Sequence, residues 1–569
     1  MSSLWSLNRK TKAKVEQYQN FVKFRYSEKQ INKTKIKLVS AAPENESSAS
    51  TSTVDLSSCL INNSRASSND RPSVECTPVQ FIPDNSEKAT FSCKEDARNN
   101  VINSTSDESD VNISTLQCLR KKVFDRKVLL QNWAVENQIS HSALGSLLSI
   151  LNNTYDEKLP LDPRTLLKTP SKPSVSMYSI KGGQYCHLGL GNALNTFLNN
   201  FSDASLETIQ SDSIYLKINC DGLPIYKSSN SQFWPILVQF TSKSIIFDKS
   251  NPVIIGLFIG NYKPKCVKEY LTDFISEFNA LKNGYKYKKF LVPIKVRCFI
   301  CDAPARQFLK CITSHNGYSG CERCMQRGIY DGSVVFPDVV SPPRTDENFR
   351  LAVDEDHHKM TTPLVKIEIG LVSQFVLDPM HLVFLGVVRK LLYLWLKGPL
   401  SVRLGSAKKT LISDKIVEIA KYMPAEFARK PRSLDELERF KATEFRSFLL
   451  YTGPIALENV LDHNIYKNFI LLTCAITLLS RNDIENVVTF SRQYLLTFVI
   501  HYTKLYGECN VVYNVHNLIH LSDDASRYGT TDKFSAFPFE TKLGFIKKLV
   551  RPLSGNRCSL NIALITEDP

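Results

Sequence analysis

The sequence has no run long and apolar enough to cross a membrane: Leu382 to Leu396 is broken by Arg389-Lys390, and Phe469 to Leu479 is too short. No cationic start leads into an apolar core and cleavage site, so a secretory route is not expected. A complete phosphate-cradling glycine loop is also missing. Lys181-Gly182-Gly183 and Gly189-Leu190-Gly191 lack the dinucleotide or P-loop spacing and read as turn and packing residues. The 15 cysteines are scattered rather than grouped into a disulfide framework, which implies a reducing, intracellular setting with free or metal-bound thiols. Asn-X-Ser/Thr sequons near the N-terminus then carry no glycosylation meaning. Acidic excess is absent too. Lys and Arg number 71 against 56 Asp and Glu, a formal net charge of +15. That balance favours an acidic polymer as partner over a small-molecule substrate.

What is present, over 569 residues, is enough for several domains. Residues 1–115 comprise a basic arm and a linker. In the arm Arg9, Lys10, Lys12, Lys14, Lys23 and Arg25 interleave with Tyr18, Phe21, Phe24 and Tyr26. From about Ser40 to Thr115 the composition is rich in Ser, Asn, Asp and Thr, which buries too little apolar surface to offset ordering entropy, so disorder is expected. Over 116–170 the pattern is helical. One helix carries Leu119, Val123, Leu129, Leu130 and Trp133; Ser140 caps a second with Ala143, Leu147, Leu148 and Leu151. With Arg120, Lys121, Lys122, Arg126 and Lys127 on the first, the pair reads as a helix-turn-helix DNA reader or as a small packing bundle.

Residues 171–310 read as α/β. Leu216, Ile218 and Cys220 alternate with Tyr215, Lys217 and Asn219 as in a half-buried strand; Asp221-Gly222 ends it, and Phe233 to Val238 brings the chain back. Pro252 to Ile259 is a second apolar strand, Val267 to Leu281 an amphipathic helix, and Phe290 to Ile300 a third strand ending at Cys301-Asp302. Alone, Asp221 is an ordinary Asp-Gly turn residue. Two acids at the ends of strands about 5 Å apart, however, can share a pair of divalent cations, as two-metal phosphodiester chemistry requires.

Over 311–529 most of the chain reads as helix, at Val387 to Leu396, Leu411 to Tyr422, Leu434 to Tyr451, Ile465 to Ser480 and Asn486 to Tyr506. This stretch opens with Cys321-Glu-Arg-Cys324, whose spacing suits half a zinc site, a redox pair or two ordinary thiols. His516 and His520, four residues apart on one helix face, supply a candidate second half. Asp378 and His381, in Leu-Asp-Pro-Met-His, read either as metal or DNA ligands or as caps of the following helix, the reading preferred here. Asp354 to His358 reads as a solvated loop. In 530–569 Glu540 begins a helix, and Lys542, Lys547, Lys548 and Arg551 would give it a phosphate-seeking face.

The ordered set DG…WPI, ICD-x-PAR, C-x-x-C, DPMH, H-x-x-x-H and PFE, spanning about Tyr215 to Arg551, resembles the DDE transposases of the CACTA (En/Spm) type. More distantly it is similar to Transib-like recombinases and the catalytic core of the V(D)J recombinase. The resemblance implies an RNase H-like core interrupted by a long helical insertion. It matches Asp221, Asp302 and Glu540 to a catalytic triad holding Mg²⁺ or Mn²⁺. Cys321, Cys324, His516 and His520 match a structural Zn²⁺ site tying the insertion to the core. It implies a nuclear enzyme, a homo-oligomer acting on transposon ends and target DNA. A nuclease using the same site, or a domesticated, inactive DNA-binding scaffold, are the alternatives.

Overall fold

The computed structural model describes residues 126–137, 139–154, 159–167, 176–226, 229–244, 251–481, 486–552 and 558–560. All of them belong to one compact unit. The basic arm, the Ser/Asn-rich linker, and Arg120, Lys121 and Lys122 lie outside the described residues.

The fold is α/β around a mixed sheet of seven strands. These are β1 (Tyr178–Ile180), β2 (Gly183–His187), β3 (Ile214–Cys220), β4 (Leu223–Pro224), β5 (Gln232–Thr241) and β6 (Val253–Gly260), then β9 (Ile294–Phe299) after a small hairpin of β7 (Tyr285–Tyr287) and β8 (Phe290–Val292). The order across the sheet is β1-β2-β6-β5-β3-β9, with β4 beside β5. Neighbours are antiparallel except β3 and β9, which run parallel. One expected strand, Phe290 to Ile300, is thus two. Pro293 has no amide to donate, and its carbonyl instead accepts from Ile214 at 2.8 Å. Beyond β9 the chain adds one more parallel step: Phe299 donates to the Gln374 carbonyl at 2.7 Å, and Val376 donates to the Phe299 carbonyl at 3.1 Å.

Both faces of the sheet are covered. On one, Leu216, Ile218, Ile236 and Phe240 pack with α3 (Leu190–Leu198), α4 (Asp203–Ser211), α5 (Val267–Ala280) and α6 (Ala303–Lys310). On the other, Phe233, Leu237, Leu257 and Cys298 share a core with the later helices. A π-helical stretch, Met380–Val388, runs straight into α7 (Arg389–Lys397), followed by α8 (Ser406–Ala420), α9 (His463–Leu479), α10 (Val487–Tyr506) and α11 (Tyr513–Tyr528). The buried Trp395 of α7 donates to the Tyr506 hydroxyl at 2.9 Å, tying α7 to α10. Because strands and helices share one core, burial rather than chain order holds 311–529 against the sheet. The expected helix over 434–451 is broken, since Glu444 reaches back to the Lys441 amide at 2.8 Å and starts a new helix there.

Two helices, α1 (Arg126–Glu136) and α2 (His141–Thr154), precede the sheet. Ser140 caps the second as expected, its hydroxyl accepting from Ala143 at 3.2 Å. Leu144 and Leu148 form its buried stripe, whereas Ala143 is exposed.

Candidate functional site

The C-terminal ends of parallel β3 and β9 bring two acids to one edge of the sheet. Asp221 follows β3 directly, with Gly222 donating to its Oδ1 at 2.6 Å. The close Trp234 indole is why a glycine stands next: a Cβ at Gly222 would lie 3.1 Å from that ring. Asp302 follows β9 and caps α6, one oxygen accepting the Ala305 amide at 2.8 Å. A third strand-like segment, 374–376, runs beside β9 and delivers Asp378 and His381 to the same end.

Asp378 is buried and uses both carboxylate oxygens. Oδ2 accepts from His381 Nδ1 at 2.6 Å, and Oδ1 accepts the amides of Met380 at 3.1 Å and Ala536 at 2.8 Å. The last of these bonds sets the start of a final helix, Phe537–Leu549, which carries Glu540 on its first turn. One buried carboxylate therefore aligns the imidazole and the helix bearing the third acid. Burial works against the charge of Asp378, but the bonds from His381, Ala536 and Met380 hold its carboxyl below the ordinary range.

Ligand atoms of Asp221, His381 and Glu540 all lie within 4.8 Å of one another, a set that could hold a metal ion. The preferred sequence reading, in which Asp378 and His381 only cap the following helix, is half right. Asp378 caps; His381 turns into the carboxylate cluster, its Nε2 4.0 Å from Glu540. Asp302, one of whose oxygens caps α6, does not join that tight set. Its charge still reaches the cluster. Burial, then Asp302 and Glu540, push the Asp221 carboxyl up to about 7. Burial also raises Glu540, against the pull of His381. Burial opposes the charge of His381, yet the bond and charge of Asp378 carry it up to about 9. Like charges crowded into a half-buried cleft, with one imidazolium among them, are the setting that a cation would relieve.

The second cluster lies where the chain after α6 meets α11. Cys321 Sγ is 3.5 Å from Cys324 Sγ and 3.9 Å from His520 Nε2, while His516 Nε2 is 3.3 Å from Cys324 Sγ and 3.4 Å from His520 Nε2. All four candidate ligands converge, a set compatible with a structural metal. Burial works against the Cys321 thiolate, but the Cys324 thiol and the two imidazoles pull its pKa well down.

Sequence reasoning missed what lies between the cysteines. Glu322 and Arg323 are both buried, at 2% and 7% exposure. Glu322 takes Arg306 at 3.0 Å, Lys310 at 2.9 Å and the Tyr513 hydroxyl at 2.8 Å. Arg323 bonds Asp524 at 2.7 Å and the Phe375 carbonyl at 2.5 Å, and Asp524 accepts the Leu377 amide at 2.7 Å. The two pairs thus brace the cysteine loop against α6 on one side and α11 on the other. Charged residues are so rarely buried that their type alone carries no such signal.

Three further expectations are corrected. Lys542 is buried, its ammonium 5.4 Å from the Phe545 ring centroid, and Arg551 lies in a short strand, Val550–Pro552, past the end of the helix. Of the expected phosphate-seeking face, Lys547 and Lys548 are exposed on the helix. The helix also starts at Phe537 rather than Glu540. Nor is 354–358 a solvated loop throughout: His357 is fully buried, its Nδ1 2.7 Å from the Ser319 carbonyl, because its turn is pinned by Asp354 on Arg344 at 2.6 Å. Arg126 and Lys127 are exposed on the first turn of the Arg126–Glu136 helix.

No family model and no curated protein matches this chain. Among the described residues no helix is long and apolar enough to cross a membrane.

Proposed function

We propose that the chain is a DNA transposase of the CACTA type, which cuts at element ends in the nucleus and joins the freed 3′-hydroxyl to target DNA. The observation that carries this is the meeting of Asp221, at the end of β3, with Glu540, from a helix at the far end of the chain, beside His381. The antiparallel run β3-β5-β6, the α5 crossover and the parallel return at β9 support an RNase H-like core. The net charge of +15 suits a nucleic-acid partner.

Asp221, Asp302 and Glu540 are the proposed holders of Mg²⁺ or Mn²⁺. The donor set fits: hard oxygen ligands, with Asp221 pushed up to about 7 by burial and by its fellow acids. Bound there, the ions would stabilise charge at the scissile phosphorus and activate the attacking oxygen. In hydrolysis water supplies that oxygen and the 3′-oxygen leaves as a hydroxyl. In strand transfer the 3′-hydroxyl attacks, so one phosphodiester forms as another breaks. Asp378 keeps His381 turned to this space, and Asp302 keeps one oxygen outside its capping bond.

Zn²⁺ is the ion proposed for the cysteine–histidine cluster. Bond lengths of about 2.3 Å to sulfur and 2.0–2.1 Å to nitrogen give tetrahedral edges of roughly 3.8 Å for S···S, 3.5 Å for S···N and 3.3 Å for N···N. The distances of 3.5, 3.3, 3.9 and 3.4 Å already lie close to those edges.

The test is plasmid DNA incubated with purified full-length protein. Nicking is expected in Mg²⁺ or Mn²⁺, and is expected to vanish with EDTA and in Asp221→Asn. Cleavage that persists in Asp221→Asn would overturn the site. Wild-type protein that binds DNA but leaves it intact in both ions would favour the scaffold alternative.

A further inference from the structure

His381 begins a stripe that continues along its own helix. In the π-helical stretch one turn takes between four and five residues, so Leu385 and Gly386 follow His381, and Arg389, Lys390 and Tyr393 follow them into α7. Leu385, Gly386, Arg389, Lys390 and Tyr393 line an open groove of about 290 Å³. Arg389 is exposed, and Lys390 is half-buried, with burial lowering its ammonium. The Tyr393 ring is flanked by two cations, Arg389 and Lys397, each 5.5 Å from its centroid; Lys397 is also paired with Glu438 at 2.7 Å, so Arg389 is the one offered to a ligand here. Gly386 lets the helix pass close to Asn514: a Cβ there would lie 2.7 Å from the Asn514 amide nitrogen. Eight positions along the helix separate His381 from Arg389, a span of at most about 12 Å at the α-helical rise, so a few nucleotides connect the two.

We propose that this groove holds a single DNA strand leaving the carboxylate cluster, with Arg389 and Lys390 on backbone phosphates and the Tyr393 ring against a base. Arg389 and Lys390 beside one aromatic ring form the combination used for single strands, in which charge tracks the backbone and the ring stacks a base of any identity. A duplex offers neither an unstacked base nor the narrow backbone that a groove of this size admits. The inference rests on the transposase reading, since a cut end is what exposes such a strand beside Asp221.

The experiment compares two labelled probes of arbitrary sequence on full-length protein: a blunt duplex, and the same duplex with a single-stranded tail of about ten nucleotides. Wild type is expected to prefer the tailed probe. Arg389→Gln/Lys390→Gln should lose roughly tenfold on the tailed probe alone, with its salt slope shallower by about 1.4, two phosphates' worth for a single strand. Tyr393→Phe should keep the preference and Tyr393→Ala should lose it. Equal losses on both probes, or an unchanged tail preference in the double variant, would overturn the groove. Wild type that nicks plasmid in Mg²⁺ yet shows no tail preference would sink the groove and spare the transposase. A chain without cleavage but with an Arg389-dependent tail preference would do the reverse.

Discussion

Asp378 and His381 are joined at 2.6 Å, and the same buried carboxylate accepts the Ala536 amide at 2.8 Å. This one side chain couples the orientation of an imidazole to the placement of the helix that carries Glu540. Removing it should disturb the site without touching any of the three acids.

The pair also gives a pH dependence whose sign follows from its shifts. His381 is raised, so its stabilisation is complete below the ordinary imidazole value near 6.5 and is lost as pH rises through about 9. Asp378 is lowered, so its share is present above the ordinary carboxylate value and is lost as pH falls through its folded one. In urea titrations without added divalent cation, the gap between wild type and Asp378→Asn should be widest near pH 5–6 and shrink toward pH 9. A gap that grows above pH 7 would contradict the pairing.

Asp221→Asn, Asp302→Asn and Glu540→Gln should each cut Mg²⁺-dependent cleavage at least a thousandfold, about 4 kcal/mol of barrier, while DNA binding stays near wild type. A cleavage assay run beside a binding gel reads both. Full activity in any one variant removes that residue from the set.

Metal analysis of purified protein should give about one zinc per chain. Cys321→Ser with His520→Ala should lose it and lower the melting temperature by roughly 5–10 °C, since the cluster joins segments 199 residues apart. Stoichiometric zinc in that double variant would rule the assignment out.

Glu322→Ala should cost roughly 3–5 kcal/mol by leaving Arg306 and Lys310 buried without their acid. Lys310→Met should cost far less. Burial already brings the Lys310 ammonium down to about 8, and Glu322 keeps Arg306 and Tyr513. Equal losses for the two, by urea titration, would show that the acid is not the hub.

Local order was legible wherever one periodicity dominates. The alternation through Leu216 and Ile218 marks β3, Ser140 is a cap that a short pattern reveals, and the four-residue spacing of His516 and His520 puts both on one face of α11. These depend on neighbours in the chain, so residue order suffices. Convergence depends on partners far away. That Cys321 meets His520, that Glu322 and Arg323 are buried, and that the cluster with Asp221 and Glu540 takes His381 more closely than Asp302 are outcomes of packing helices against a sheet. A buried charge is tolerable only once its partner is in place, and α6, α11 and the segment at 372–377 supply those partners only in the folded chain.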